Sequence, residues 1–141
     1  MTVPFWCLLI MVFIPYVLSG VGGYFKTKQF GSVDIKTPRL QAKQLEGAGH
    51  RAQAAQENAW EAVAVFTAAV MMAHFAGADA AASANAAMLF IVARIAHPII
   101  YLADIGPLRT VSFVVGLGAC IWLFVLAANA PVVSVMPMVN L

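Results

Sequence analysis

The polar side chains whose spacing suits chemistry lie in two short segments of otherwise apolar sequence. Asn58 and Glu61 are three residues apart, so they share one face if their segment is helical. Arg94, His97 and Tyr101 are spaced i, i+3 and i+7, which places all three on one stripe of a helix. Ionisable groups within membrane-type segments are functional candidates because burying them is costly. The spacing therefore predicts a shared polar crevice.

These residue types favour a small anionic ligand rather than a metal ion. Arginine offers paired donors to a carboxylate, and the other polar side chains add further hydrogen-bonding groups. Glutathione fits such a set, because it has carboxylates for the arginines, an amine for Glu61 and amide groups for Asn58. An arginine or a tyrosine hydroxyl close to the glutathione thiol would stabilise the thiolate and lower the pKa of the thiol. We expect no metal site.

Several of these side chains also have a purely structural interpretation. His97 alone suits an interhelical hydrogen bond, and Tyr101 alone suits the membrane–water interface. Glu57, one turn before Glu61, either joins the crevice or reaches interfacial water. Arg109 follows Tyr101 across a short turn, and it either projects toward the same crevice or anchors its helix in the headgroups. Spacing alone leaves these alternatives open.

The composition indicates that the elements carrying these residues are membrane helices. Of the 141 residues, 62% are hydrophobic and 10% are charged, against roughly 25% charged in an average soluble domain. The mean hydropathy is +0.87. The net charge of +2 is too small to indicate a nucleic-acid partner. Cys7 and Cys120 lie in apolar runs without a metal-ligand spacing, so they are expected to be packing thiols.

We predict one all-α membrane domain over residues 1–141, built from four transmembrane helices. The apolar run from Val3 to Phe25 is long enough to span a bilayer and has no basic stretch before it, which argues against a removable signal peptide. Short links make the last three helices antiparallel neighbours. The predicted spans are about residues 4–25, 59–78, 84–103 and 109–128, and a polar connection covers about residues 26–50.

The basic residues predict the orientation of these spans. Most of them lie in or beside the first connection, and Arg109 borders the third link, whereas the second link has none. The positive-inside rule then places the first connection in the cytoplasm and both termini on the other side. A bacterial inner membrane is expected, because no targeting segment is recognisable and the loops are short. The basic residues of the first connection are Lys26, Lys28, Lys36, Arg39, Lys43 and Arg51.

Two segments, AAQENAWEAVAVF from Ala54 and ARIAHPIIYLADIGPLRTVSF from Ala93, resemble the family of membrane-associated proteins in eicosanoid and glutathione metabolism. The resemblance implies a homotrimer of four-helix subunits that binds glutathione between neighbouring subunits at the cytoplasmic side. The residues that match the pattern of the family, and that it implies as glutathione-binding or catalytic, are Asn58, Glu61, Arg94, His97, Tyr101 and Arg109.

One position departs from the pattern of that family. Eukaryotic members commonly carry an arginine four residues before the asparagine, where this chain has Ala54. Arg51, about one turn earlier, is the residue expected to substitute for it in binding the ligand. The same departure favours a protein that has the fold and has lost catalysis.

The leading functional hypothesis is a glutathione-dependent membrane transferase or peroxidase that acts on lipophilic electrophiles. Arg109 and Tyr101 are then the residues expected to activate the thiol. The expected partners are the lipid bilayer, a small lipophilic substrate and further copies of the chain. Two alternatives remain: a non-catalytic binding or scaffold protein, and a small transporter or proton relay using Glu61 and His97.

Overall fold

The computed structural model describes residues 1–131, and in this part of the chain the regular secondary structure is all helical, without a strand. The predicted all-α class is therefore confirmed. Residues 132–141 of the predicted domain lie outside the described part. The helices are α1 (Val3–Phe30), α2 (Pro38–Lys43), α3 (Gly47–Phe75), α4 (Ala80–Leu102) and α5 (Gly106–Ala128).

The four long helices pack into one bundle around α3 and α4. Each of these two contacts all the other long helices, whereas α1 and α5 make no contact with each other in the described residues. The core between them is apolar, with the rings of Phe66 and Phe90 stacked at 3.8 Å between centroids. Met11 and Leu123 are fully buried beside them. Such a core fixes the relative rotation of α3 and α4, which carry most of the predicted site.

Large apolar side chains cover the outside of the bundle as well as its interior. Phe13, Val17, Val92 and Ile99 are all more than half exposed, which is a surface suited to lipid rather than to water. Three helices are long and apolar enough to cross a membrane: α1, α4 and α5. The fourth long helix, α3, is less hydrophobic because it carries the polar residues around Glu57.

Backbone geometry explains where the helices end. Gly31 follows α1 and Gly77 follows α3, each with a positive φ that glycine adopts without strain. At Gly77 the amides of Gly77 and Ala78 turn back onto the last carbonyls of α3. The end of α4 has the same pattern with Asp104 at φ 62° in the glycine position. The turn between α4 and α5 is therefore tight although it lacks a glycine at that point.

The connection between α1 and α3 is folded against the protruding end of α1. Lys26 Nζ donates to the carbonyl of Pro38 at 2.9 Å. The side chain of Gln29 donates to the carbonyl of Gln44 and accepts from the amide of Glu46, both at 3.0 Å. These bonds hold the short α2 beside α1, and α3 begins directly after them.

Candidate functional site

A cavity of about 400 Å³ opens between α3, α4 and α5 at the end of the bundle nearest the connection. Its volume lies within the range of about 300–1,000 Å³ that is usual for small-molecule sites. Five of the seven predicted binding or catalytic residues line it together, which is the convergence that their spacing predicted. The lining residues are Ala54, Glu57, Asn58 and Glu61 of α3, His97 and Tyr101 of α4, and Arg109, Thr110 and Phe113 of α5.

Arg94 lies deeper, where it joins this cavity through a hydrogen bond. Only 6% of the residue is exposed, and its Nη1 donates to Asn58 Oδ1 at 2.8 Å. Asn58 in turn donates to Glu61 Oε2 at a longer 3.4 Å. The guanidinium also lies 5.5 Å from the ring centroid of Phe113, close enough for a cation–π interaction. These partners replace water around a charge that is otherwise costly to bury.

A glycine on α5 makes room for the guanidinium of Arg94. A Cβ atom at Gly116 would lie 3.3 Å from Arg94 Nε, so alanine there would require the Arg94 side chain to shift by a few tenths of an ångström. A second cavity of about 140 Å³ lies beside Arg94, and it shares Asn58, Glu61 and Phe113 with the larger one. The polar cavity therefore continues inward into a smaller and more apolar space.

Tyr101 and Arg109 line the main cavity on the side away from Arg94. The Arg109 guanidinium carbon is 4.7 Å from the centroid of the Tyr101 ring, so the ring holds the cation in a cation–π contact. Of the two alternatives for Arg109, projection toward the crevice is the one observed. One turn further into α4, His97 is buried and its Nδ1 lies 2.9 Å from Ser112 Oγ.

Two predicted binding residues do not line the main cavity: Arg94, which reaches it through Asn58, and Arg51. Its Nη1 lies 3.3 Å from a carboxylate oxygen of Asp104, in the turn before α5. Arg51 lines an adjoining open cavity of about 480 Å³ that also includes Tyr101 and Arg109. Ala54, one turn before Asn58, lines the main cavity, and Arg51 does not supply a positive charge at that position. Arg51 can serve the ligand only from the mouth of the site.

Four residues at the site were not predicted from the sequence: Thr110, Ser112, Phe113 and Asp104. Thr110 and Phe113 line the cavity, but small hydroxyls and aromatics are common in membrane helices and carry no distinctive spacing. Ser112 meets His97 across the α4–α5 turn, a relation that only the packing of the two helices creates. The sequence feature that could have indicated Ser112 is its position one turn after Arg109, which places both residues on the same face of a helix.

The cavity combines positive donors with negative acceptors at opposite walls. Arg109 and Tyr101 offer donors on α4 and α5, and the exposed carboxylates of Glu57 and Glu61 offer acceptors on α3. A ligand that has both carboxylates and an ammonium group satisfies both walls. Arg94 fixes the Asn58 amide between them. The site is thus suited to a small zwitterionic molecule.

The bundle, its lipid-type surface and its three membrane-length helices define an all-helical membrane protein. Comparison with sequence models of protein families matches residues 3–129 to the MAPEG family. The match covers most of the chain, so the protein belongs to the MAPEG family, as the sequence resemblance predicted. A search of the curated proteins found no match, and a search of the solved structures found none.

Proposed function

We propose that this protein is a glutathione-dependent membrane transferase or peroxidase that acts on lipophilic electrophiles. The observation that carries the proposal is the convergence of Asn58, Glu61, His97, Tyr101 and Arg109 on one cavity. Membership of the MAPEG family supports a role in glutathione or eicosanoid metabolism. The ligand is a substrate that is consumed, and no metal is needed for the chemistry proposed.

Each wall of the cavity has a part in binding glutathione under this proposal. A carboxylate of glutathione binds Arg51 at the mouth of the cavity, which leaves Arg109 for the thiol. The amine binds Glu61, whose carboxylate is exposed to the cavity, and Asn58 binds an amide group. Arg94 acts through Asn58, because its hydrogen bond fixes the direction of the Asn58 amide.

Thiol activation is assigned to Arg109 and Tyr101. A thiolate is the reactive form of a thiol, and a nearby cation or hydrogen-bond donor raises its fraction by lowering the thiol pKa. The contact between the Arg109 guanidinium and the Tyr101 ring holds both side chains at one place. The thiolate then attacks the electrophilic carbon of the second substrate, and the C–S bond forms as the leaving group, such as a halide, departs with its electron pair. With a hydroperoxide, the thiolate attacks the terminal oxygen and the O–O bond breaks, which releases an alcohol and leaves a glutathione sulfenic acid that a second glutathione converts to the disulfide and water. Before either attack, the positive charge of Arg109 balances the negative charge on sulfur.

A lipophilic second substrate reaches the cavity from the bilayer. The deeper cavity is lined by Val65 of α3 and Leu117 of α5, and both side chains are partly exposed on the outer surface of the bundle. A molecule dissolved in lipid can therefore enter between these helices. It then meets the thiol where the two cavities share Asn58, Glu61 and Phe113.

In the bilayer, α3 forms a fourth span beside α1, α4 and α5. With 29 residues and about 1.5 Å of rise per residue, α3 is longer than the roughly 30 Å hydrocarbon core. Its first turns then extend into the cytoplasm together with the basic connection. Both termini lie on the opposite side, and the membrane is a bacterial inner membrane.

The working unit is a homotrimer in which neighbouring subunits complete the site. Glu57, Trp60 and Glu61 are exposed on α3, and Glu57 and Glu61 also line the cavity. A second copy packed against these residues would close the open side of the cavity and cover the polar groups, which lipid cannot solvate. Native mass spectrometry from detergent tests the assembly, and a predominantly monomeric protein would contradict it.

Titration with glutathione, followed by the ultraviolet absorbance of the thiolate, tests the proposed function. The wild-type protein in detergent should produce a saturable thiolate signal, and Arg109→Ala should lose it. Arg39→Ala is the matched control, because Arg39 is exposed on α2 away from the cavity. Wild type and Arg39→Ala should also turn over a lipophilic aryl halide with glutathione, and Arg109→Ala should lose this turnover. A wild-type protein without either signal would remove the enzyme hypothesis.

The second candidate is a non-catalytic binding protein with the same fold. Ala54 leaves one wall of the cavity without a cation, and Arg51 is engaged with Asp104. A thermal shift on adding glutathione, without a thiolate signal or turnover, would support this candidate over the enzyme.

A further inference from the structure

The deeper of the two connected cavities contains a thiol that the proposed function does not use. Cys120 of α5 lines this cavity of about 140 Å³ together with Arg94 of α4. The cysteine is free, and only 1% of the residue is exposed. A buried apolar cavity of roughly this volume can hold a molecule of the size of benzene. There is therefore room for a small ring next to Cys120.

The Arg94 side chain packs on the face of α5 that carries Cys120. A Cβ atom at Gly116 would lie 3.3 Å from Arg94 Nε, and Cys120 follows Gly116 by one turn on the same face. The positive charge of Arg94 acts on the Cys120 sulfur. Arg94 is 6% exposed, and its Nε has no hydrogen-bond partner among the described residues. The cavity thus combines a thiol with a buried cation that retains an unused donor.

This cavity is reached from the bilayer rather than from water. Val65 of α3 and Leu117 of α5 line it, and they are 40% and 41% exposed on the apolar outside of the bundle. Apolar molecules concentrate in lipid, whereas charged reagents stay in water. A small apolar electrophile therefore has a route to Cys120 that a charged one lacks.

We propose that Cys120 is a site of covalent modification by small, apolar α,β-unsaturated carbonyl compounds that enter from the bilayer. This modification needs no glutathione, so it goes beyond the function proposed above. The lining of the deep cavity is mainly apolar. Addition to a C=C bond releases no leaving group, and such a cavity would solvate a released anion poorly.

The addition can be written with the residues of the cavity alone. The Cys120 sulfur forms a C–S bond with the β-carbon, and the π electrons of the C=C bond move toward the carbonyl oxygen to give an enolate. The thiol proton passes to the carboxylate of Glu61, which lines the same cavity, and then to the α-carbon of the enolate. The guanidinium of Arg94 balances the negative charge, first on sulfur and then on oxygen. No further reactant is needed.

Peptide mass spectrometry after treatment with cyclohexenone, whose ring is close to benzene in size, tests the site in the purified protein. Cys7 is an internal control, because it is also buried and free but lines neither of the connected cavities. Cys120 should be modified roughly tenfold faster than Cys7. Pyrenylmaleimide belongs to the same chemical class but is too large for the cavity, so it should show no such preference. Equal rates with cyclohexenone, or the same preference with the larger reagent, would overturn the proposal.

Two pairs of variants test the cation and the route. Arg94→Leu should slow modification of Cys120 several-fold and leave Cys7 unchanged, whereas Arg94→Lys keeps the charge and should keep most of the rate. Leu117→Trp narrows the route and should also slow Cys120. Val111→Trp is the matched control, because Val111 is 56% exposed on α5 outside both cavities. If Arg94→Leu did not fold, an unchanged rate in Leu117→Trp would still contradict the proposal.

The adduct has a consequence for turnover, and this consequence rests on the proposed function. An adduct would fill the deep cavity, which shares Asn58, Glu61 and Phe113 with the main one. Treatment with cyclohexenone should therefore abolish the glutathione-dependent turnover of an aryl halide in wild type, whereas Cys120→Ser should keep its own turnover. Modified wild type with full turnover would contradict this consequence. If untreated wild type had no turnover, the proposed function would fall, while mass spectrometry would still decide whether Cys120 is modified.

Discussion

At the scale of single residues, Arg94 shows how this bundle accommodates a buried charge. A guanidinium within a membrane bundle needs partners that replace its hydration. Asn58 supplies an acceptor, and the ring of Phe113 supplies a π face. Gly116 supplies the space, because the Arg94 side chain packs against α5 at this position, which lacks a side chain of its own. A single glycine thus controls the geometry of a residue on another helix.

Two glycines on α5 form a matched pair for testing this control. Alanine is favoured over glycine in a helix by up to about 1 kcal/mol, and a Cβ atom at Gly118 meets open space. Gly118→Ala should therefore stabilise the protein. Gly116→Ala should lose that gain, because its Cβ forces Arg94 to shift by a few tenths of an ångström, and the change in the Arg94–Asn58 hydrogen bond should also weaken glutathione binding several-fold. Thermal unfolding in detergent and a binding titration measure both effects, and equal behaviour of the two variants would refute the argument.

The residues of the site were partly predictable from spacing. Arg94, His97 and Tyr101 share a stripe because helical periodicity alone determines it, and the structure places them on α4 as expected. Their roles in binding stay predictions. Ser112 could not be predicted, because its contact with His97 depends on how α4 and α5 pack across their turn. The pairing of Arg51 with Asp104 depends on tertiary structure in the same way.

At the scale of the elements, the α4–α5 turn depends on an aspartate in a backbone conformation that favours glycine. Asp104 has φ 62°, and short polar residues tolerate this region better than others. Its carboxylate, 72% exposed on the side chain, pairs with Arg51. An exposed pair contributes roughly 0–1 kcal/mol. The backbone conformation is therefore the larger effect.

Substitutions at position 104 separate the effect of the backbone conformation on stability from the effect of the ion pair with Arg51. Asp104→Gly should leave stability unchanged or raise it by up to about 1 kcal/mol, because relief of the backbone strain exceeds the loss of an exposed ion pair. Asp104→Ala should lower stability by about 1 kcal/mol or more, because alanine keeps the strain and removes the pair. Thermal midpoints in detergent give the order. An alanine variant as stable as the glycine variant would contradict it.

The connection before α2 depends on the ionised form of Asp34. Hydrogen bonds from the Thr37 side chain, the Thr37 amide and the Lys36 amide hold the pKa of Asp34 below its ordinary value. A lowered folded-state pKa means that the carboxylate stabilises this turn fully above the unfolded value of about 3.9. That stabilisation is lost as the pH falls through the lowered folded-state pKa.

An acid titration followed by the NMR signal of the Thr37 amide measures this transition. The signal should shift with a midpoint below about 3.9, and Asp34→Asn should abolish the shift because it leaves no group to titrate. A midpoint at or above the ordinary value would show that the hydrogen bonds do not favour the carboxylate in solution.

The elements themselves were predicted more fully than their ends. Apolar runs predicted the four long helices, but α1 continues to Phe30, beyond the predicted span end at about residue 25, and α3 begins at Gly47, well before the predicted span start at about residue 59. The end of α4 at Leu102 lies within one residue of the predicted end of its span, although Asp104 takes the place of a glycine there. The break between α2 and α3 depends on bonds from α1, such as those of Gln29, and no local pattern shows them.

At the scale of the whole molecule, the polar site lowers the hydrophobicity of one helix of the membrane bundle. α1, α4 and α5 are recognisable as membrane-length helices. α3 is less hydrophobic because Asn58 and Glu61 lie on it, yet it contacts all three of the others. The family match over residues 3–129 covers all these helices. Four spans and a trimeric assembly stay predictions of this account.

Cysteine labelling tests the predicted orientation. Cys7 and Cys120 are buried and free, so the wild-type protein should react little with a membrane-impermeant maleimide. Ala81→Cys should react in intact cells, because the α3–α4 link is expected outside the cytoplasm. Lys36→Cys should react only in inside-out vesicles, because the basic connection is expected inside. The reverse pattern would contradict the orientation.

The central claim is that the polar side chains of α3, α4 and α5 bind one small anionic ligand together. Saturation binding of radiolabelled glutathione to the purified protein tests it most directly, with Asn58→Leu and Arg109→Ala as site variants and Asn85→Leu as an exposed control on α4. Wild type and Asn85→Leu should bind glutathione saturably, and each site variant should bind at least tenfold more weakly. Binding that is absent from wild type, or that is equal in all four proteins, would contradict it.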